Sequence, residues 1–217
     1  MSKRIAKDES AGGKNENFAT PPWCVDRLLD GMVGNEIRLP IQGRWLEPSA
    51  GTGAIIVSAS ARYPAAHWTA CEIRKSCERH LAMADEVVMG DFFTTSRRFG
   101  TGPCPGGKWP FDLVVMNPPF TLCHDFVVRS RELAPVVICL TRLNWFASAE
   151  RQPWFQTNMP AQTLVLPDRP SFTRDGRTDG TEYCWAIWTP GPRHHTRMSV
   201  LALTSVTVRK SYYRSAA

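Results

Sequence analysis

Asn117-Pro118-Pro119-Phe120 is the stretch of this 217-residue sequence whose residue types and order suggest chemistry most directly. Each proline fixes φ near −65° and lacks an N–H, and a residue ahead of a proline is held extended. No strand continues through two prolines, so the turn is stiff and its carbonyls point out of any ladder. The Asn117 side-chain carbonyl and the Pro118 carbonyl then converge on one small donor, with the Phe120 ring beside them. A primary amine on a flat heterocycle suits that arrangement. Its nitrogen is a poor nucleophile because the lone pair is delocalised into the ring. Two acceptors gripping its two hydrogens favour a more tetrahedral nitrogen whose lone pair can attack, and no strong base is needed. On its own, the tetrapeptide also reads as a strand running into a Pro-rich turn.

The surrounding elements decide between these readings. Leu113 to Met116 is a short apolar run of the kind found in buried parallel strands, and it ends at Asn117. Upstream, the strand Arg44 to Glu47 runs into Pro48-Ser49-Ala50-Gly51-Thr52-Gly53 and a helix over Ala54 to Arg62. A strand, a Gly-containing turn and a helix open a nucleotide-binding βαβ unit. The next strand, His67 to Cys71, is ended by Glu72, with Ile73 after it, about twenty residues past the glycines, where an acid can accept from both hydroxyls of a ribose. Helix Arg74 to Met83 and strand Glu86 to Met89 follow, and Asp91-Phe92 sits at the strand's exit, placed to accept from an adenine amino group. A helix over Thr121 to Leu133, strands at Pro135 to Leu140 and Gln162 to Leu166, a helix near 149–157 and a last strand at Glu182 to Thr189 complete the pattern. These strands predict an α/β fold with a seven-stranded, mostly parallel sheet and an antiparallel last strand. The exits at Glu47, Glu72, Asp91, Asn117, Thr141 and Pro167 then share one rim, where open α/β sheets bind ligands. Thr20 reads as the N-cap of a first helix with Pro21 at its first position. Residues 96–110, rich in Gly and Pro, read as a structural insertion at the opposite edge.

Composition narrows the classes. Hydrophobic content of 43% and charged content of 21% are those of an ordinary globular protein. No run approaches a membrane span, and the charged N-terminus shows no secretory h-region. Seven cysteines without a C-x-x-C fit a reducing, cytoplasmic setting better than a disulfide framework. Cys71, Cys77 and His80 lack a fourth ligand and zinc-knuckle spacing, so no metal is expected. The net charge of +6 is uneven. Residues 18–190 carry seventeen Lys/Arg and seventeen acids, whereas residues 191–217 carry five Lys/Arg and no acid. High pI is therefore weak support for a nucleic-acid partner. Three regions follow: a disordered arm over 1–17, a catalytic domain over 18–190 and a basic tail over 191–217. Val200 to Val208 in that tail is apolar enough for an added edge strand or a subunit contact.

Taken together, these motifs resemble the S-adenosylmethionine-dependent methyltransferases that act on adenine N6, above all the small DNA adenine methyltransferases of phages and prophages. The resemblance covers about residues 17–190. Phe18-Ala19-Thr20-Pro21 is similar to the segment that packs on the cofactor's methionine end. Glu47-Pro48-Ser49-Ala50-Gly51-Thr52-Gly53 resembles the glycine loop, Glu72 the ribose-binding acid and Asp91-Phe92 the adenine-binding pair. Asn117-Pro118-Pro119-Phe120 resembles the catalytic tetrapeptide, and the motif order is similar to the gamma arrangement. Arg169-Pro170-Ser171-Phe172, with Thr178-Asp179-Gly180 and Tyr183-Cys184-Trp185, resembles the phage-type segment behind it.

The resemblance implies a Rossmann-like class I methyltransferase fold, S-adenosylmethionine as cofactor, DNA as partner and a cytoplasmic setting in a bacterium or infected host. It implies a base swung out of the duplex and sandwiched by Phe120 and Phe172, with Arg169 and Arg174 on phosphates. No room is left for a large target-recognition domain, so site choice would rest on the 141–149 and 167–181 loops and the termini. RNA adenine-N6 methylation, glutamine-N5 protein methylation and catalytically silent nucleic-acid binding are the alternative readings. Glutamine methyltransferases usually carry Tyr where this chain has Phe120.

Overall fold

The β-branched and apolar runs named above form a single sheet in the computed structural model, which describes residues 18–34, 39–103, 107–172, 178 and 180–214. The expected arm over 1–17, Arg174 and Asp179 lie outside the described residues. Strands β1 (Arg44–Glu47), β2 (His67–Glu72), β3 (Glu86–Met89), β4 (Leu113–Met116), β5 (Val136–Arg142), β6 (Gln162–Val165), β7 (Tyr183–Trp188) and β8 (Arg197–Val200) run in the order β3-β2-β1-β4-β5-β7-β6-β8. The first five pair in parallel, and β7 is antiparallel to both β5 and β6. The strand ends of β1 to β5 and the start of β7 therefore share one rim, with β1 and β4 side by side.

The eighth strand is the departure from the seven expected. It comes from the tail and pairs in parallel with β6 through Gln162↔Arg197 to Val165↔Val200. The apolar run Val200 to Val208 suggested an edge strand, but the strand forms just before it. Val206–Arg214 is instead a helix, α6. The buried Asp168 explains the turn between them, because its Oδ2 accepts from the Thr204 N–H at 2.7 Å and its Oδ1 lies 3.2 Å from Arg209 Nη1.

Helices cover both faces, which is why β7 is buried along its whole length. Helices α1 (Pro22–Gly34) and α2 (Ala54–Ser60) lie on the face that carries Trp45, Trp68, Leu113 and Trp185. On the other face α3 (Phe92–Thr95), α4 (Cys123–Ser130) and α5 (Gln152–Asn158) cover Leu46, Val114, Cys139 and Trp188. The helix expected over Arg74 to Met83 is only a 3-10 turn, Lys75–His80. Its sequence has just Cys77 and the neighbouring Leu81 to bury, too narrow an apolar stripe for a longer helix. Residues 107–112 do sit at the far edge, where Arg44 Nη2 donates to the Trp109 carbonyl at 2.5 Å. No helix among the described residues is long and apolar enough to cross a membrane.

Candidate functional site

The rim places the end of β1, the end of β2 and the Asn117 turn on three adjacent strands. At the end of β1, Glu47 is 2% exposed and its Oε2 has no hydrogen-bond partner among the described residues. Burial pushes its pKa well above the ordinary carboxylate value, and the nearby Glu72 pushes in the same direction against a backbone hydrogen bond from Ile56. The Glu47 carboxyl is therefore held neutral well above the pH at which a free one ionises. Two residues on, Ser49 Oγ is also buried without a partner among the described residues. Pro48 and Ala50 are buried beside them, and the Ala50 N–H donates to the Cys71 carbonyl at 2.9 Å, tying the loop to β2. Gly51 and Gly53 have φ of 57° and 77°, the left-handed region that makes glycine the natural choice in this tight turn.

Ionising a carboxyl with a raised native pKa costs stability only once pH exceeds its ordinary value of 4.5. Below that value both folded and unfolded states are protonated and no penalty arises. As pH climbs toward the folded pKa, the unfolded chain sheds a proton that the native chain keeps, so native stability falls. Glu47→Gln removes this slope. Its melting temperature relative to wild type should therefore rise between mildly acidic and neutral pH in a scan by differential calorimetry.

At the end of β2, Glu72 is held from both sides. Its Oε2 accepts from the Gly51 N–H at 2.6 Å, and its Oε1 accepts from the backbone N–H and Nε of Arg74, each at 2.9 Å. Burial alone would raise its pKa, but the hydrogen bonds and charge of Arg74, with the Gly51 N–H, hold it below the usual carboxylate range. Ile73 next to it is 65% exposed on the rim. At the end of β3, Asp91 caps α3, its Oδ1 accepting from the Thr94 N–H at 3.1 Å. The Phe92 ring does not face this rim. It is 4% exposed and stacks on Phe126 at 5.1 Å and 15° in the second core, because α3 turns it under the sheet.

After β4 the Asn117 amide is oriented from the N-terminal segment. Its Nδ2 donates to the Phe18 carbonyl at 3.1 Å and to Thr20 Oγ1 at 3.0 Å. A carbonyl can only accept, so Phe18 decides which end of the amide is the NH₂. Asn117 Oδ1 is then buried with no partner among the described residues. Thr20 is not the helix cap expected of it. Its hydroxyl is committed to Asn117, and α1 begins at Pro22, with the Cys24 N–H donating to the Pro21 carbonyl at 2.9 Å. Behind the tetrapeptide, the Leu122 N–H takes the Pro119 carbonyl at 2.9 Å and starts the 3-10 turn Phe120–Leu122.

Four rings gather beside Asn117. Phe18 stacks on Phe120 at 5.8 Å and 27°, and Phe172 meets Phe120 edge to face at 6.0 Å and 65°. Tyr183, fully buried, lies 5.6 Å from Phe120 and 5.1 Å from Phe172. The expected sandwich of Phe120 and Phe172 is thus not a parallel slot, because Phe18 comes over from the N-terminal segment and the rings close on one another. Arg142, at the end of β5, holds its guanidinium 4.5 Å over the Phe120 ring and donates from Nε to the Tyr183 hydroxyl at 3.3 Å. The sequence singles out neither residue by itself: Arg142 is only part of the 141–149 loop and Tyr183 only part of the Tyr183-Cys184-Trp185 segment. The only signal was the position of Arg142 at a strand exit, since its contact with Phe120 depends on β4 and β5 being neighbours. Arg169 lies on the surface in an ion pair with Glu182 at 2.5 Å.

A Listeria monocytogenes protein provisionally classed as a class I S-adenosylmethionine-dependent methyltransferase superposes with a TM-score of 0.60 at 13% identity, over 94% of this chain and 72% of that one. The fold is that of the class I methyltransferases. A Pyrococcus horikoshii protein provisionally classed as an RNA methyltransferase gives a TM-score of 0.58 at 17% identity, over 82% of this chain and 90% of the other. No family model and no curated protein matches the chain by sequence. Within a methyltransferase fold, the rim of β1, β2 and β4 is the edge where a ligand cleft belongs.

Proposed function

We propose that this methyltransferase-fold protein uses S-adenosylmethionine to methylate the N6 amino group of adenine in DNA. The observation that carries the reading is Asn117. Its NH₂ end is pinned by Phe18 and Thr20, its Oδ1 is buried and has no partner among the described residues, and the next residues are two prolines and an aromatic ring. A buried acceptor without a donor costs free energy, which a ligand amine relieves.

The residues at the ends of β1 and β2 fit the cofactor. Glu47 Oε2 and Ser49 Oγ are buried polar atoms lacking partners among the described residues, suited to the polar methionine end together with Phe18, Thr20 and Pro21. The Gly51 and Gly53 turn lets backbone approach closely. Glu72 takes the ribose, while Ile73, Asp91 and the backbone at Phe92 border the adenine. When bound, the cofactor supplies a methyl group already activated by its sulfonium. The protein's part is positioning.

Asn117 Oδ1 and the Pro118 carbonyl accept the two N6 hydrogens and turn the nitrogen lone pair out of the ring plane. Phe120 carries the face of the base once the aromatic rings part, with Phe172 and Tyr183 around it. Arg169 reaches backbone phosphate after leaving Glu182. Tritiated-methyl transfer to duplex DNA, with mass identification of N6-methyladenine, tests the reading. Absence of N6-methyladenine in every adenine-containing DNA tried would overturn it.

RNA is the second reading, because the Asn-Pro-Pro-Phe geometry grips the same amine in either polymer and the Pyrococcus neighbour is provisionally an RNA enzyme. Competition between duplex DNA and structured RNA in the same assay separates the two.

A further inference from the structure

The hydrogen-bond accounting at Glu72 leads beyond this reading, on which it rests. A carboxylate offers about four acceptor positions, two on each oxygen. Two of them are taken by backbone donors, Gly51 N–H on Oε2 at 2.6 Å and Arg74 N–H on Oε1 at 2.9 Å. These fix the carboxylate in place and would survive any movement of side chains. The remaining position on each oxygen is taken by the Arg74 guanidinium, Nε to Oε1 at 2.9 Å and Nη2 to Oε2 at 3.4 Å. Two neighbouring donors, one to each oxygen, form the same pattern that a ribose diol presents with its two hydroxyls. Glu72 is 4% exposed, so its charge needs a partner whenever the diol is elsewhere. The Arg74 side chain is 29% exposed, which gives it room to leave.

We propose that the Arg74 guanidinium is a displaceable stand-in for the cofactor's ribose diol. It occupies the two acceptor positions that the hydroxyls need and must swing out before Glu72 can hold the sugar. Arg74 then sets the affinity and the entry rate of the cofactor without touching the methyl group. Losing it exchanges a competitor for solvent, so cofactor affinity rises, whereas a residue that merely braced the loop would weaken binding when removed. The Nη2 contact is long, and this places the gain at the modest end for partly exposed pairs.

Isothermal titration of the full chain with S-adenosylhomocysteine tests the proposal. Arg74→Ala and Arg74→Met should bind about two- to fivefold tighter than wild type, with faster association in stopped flow. An analogue whose 2′- and 3′-hydroxyls are replaced by hydrogen has no need of the two positions. It should bind wild type and both variants equally. No gain with S-adenosylhomocysteine, weaker binding, or an equal gain with the dideoxy analogue would overturn the proposal. Glu72→Ala separates this from the underlying assignment. If it keeps wild-type affinity and still prefers the diol, the reading of Glu72 as the ribose acid fails. If it loses both while the Arg74 variants show no gain, only the stand-in role fails.

Discussion

Asn117→Ala is expected to lower methyl transfer by about a hundred- to thousandfold, the loss that follows removal of one preorganised group aimed at developing charge. The variant leaves Glu47, Ser49 and Glu72 in place, so its affinity for S-adenosylhomocysteine should stay within about threefold of wild type, less than 1 kcal/mol. Asn117→Asp is the more informative partner. It keeps an oxygen at the end of the side chain but loses the NH₂ that Phe18 and Thr20 hold. A carboxylate facing the Phe18 carbonyl is repelled, so the acceptor loses its aim and activity should fall nearly as far as in the alanine variant. Single-turnover rates with saturating cofactor, alongside titration calorimetry, read the two quantities separately. A variant that turned over at the wild-type rate would remove Asn117 from the chemistry.

Trp185→Ala should cost about 3–5 kcal/mol of stability, the range for truncating a large aromatic in a packed core. Trp185 is fully buried in the middle of β7, paired with Leu140 of β5 and Leu164 of β6, and its Nε1 donates to the Cys24 carbonyl of α1 at 3.0 Å. The substitution therefore opens a cavity under α1 and removes a buried hydrogen bond in one step. Native domains hold only about 5–15 kcal/mol in total, so this variant is expected to melt roughly 10 °C lower and to populate unfolded chain at growth temperature. Val57→Ala, on the outer face of α2 and 54% exposed, is the comparator and should stay within about 0.5 kcal/mol. Chemical denaturation followed by far-ultraviolet circular dichroism distinguishes them. Loss at Trp185 would also loosen α1, which leads directly from the Phe18 and Thr20 contacts to Asn117.

The arrangement of elements was legible in the residues because its signals are local. Alternating strands and helices, the glycine turn after Glu47, the acid after β2 and the double proline after β4 all act within a few residues. A mostly parallel sheet whose strand exits share one rim follows from them. The rim is what the structure has, and Asn117 does end β4 beside β1. Signals failed where a residue's partner is remote in sequence. Thr20 has the composition of a helix cap, but Asn117, 97 residues away, takes its hydroxyl. Phe92 follows an acid at a strand exit, but its ring completes the core by stacking on Phe126.

What the chain's residues determine unaided is the class of the fold and the chemical character of each strand exit, since backbone restriction, apolar runs and turn residues need no distant partner. Which atoms are left available is decided only by tertiary structure. The buried Asn117 Oδ1 with no partner among the described residues, the raised pKa of the Glu47 carboxyl and the Gly51 N–H on Glu72 depend on segments brought together from further along the chain. Hydrogen bonding and desolvation are set by distances of a few ångströms, and no one-dimensional spacing encodes them.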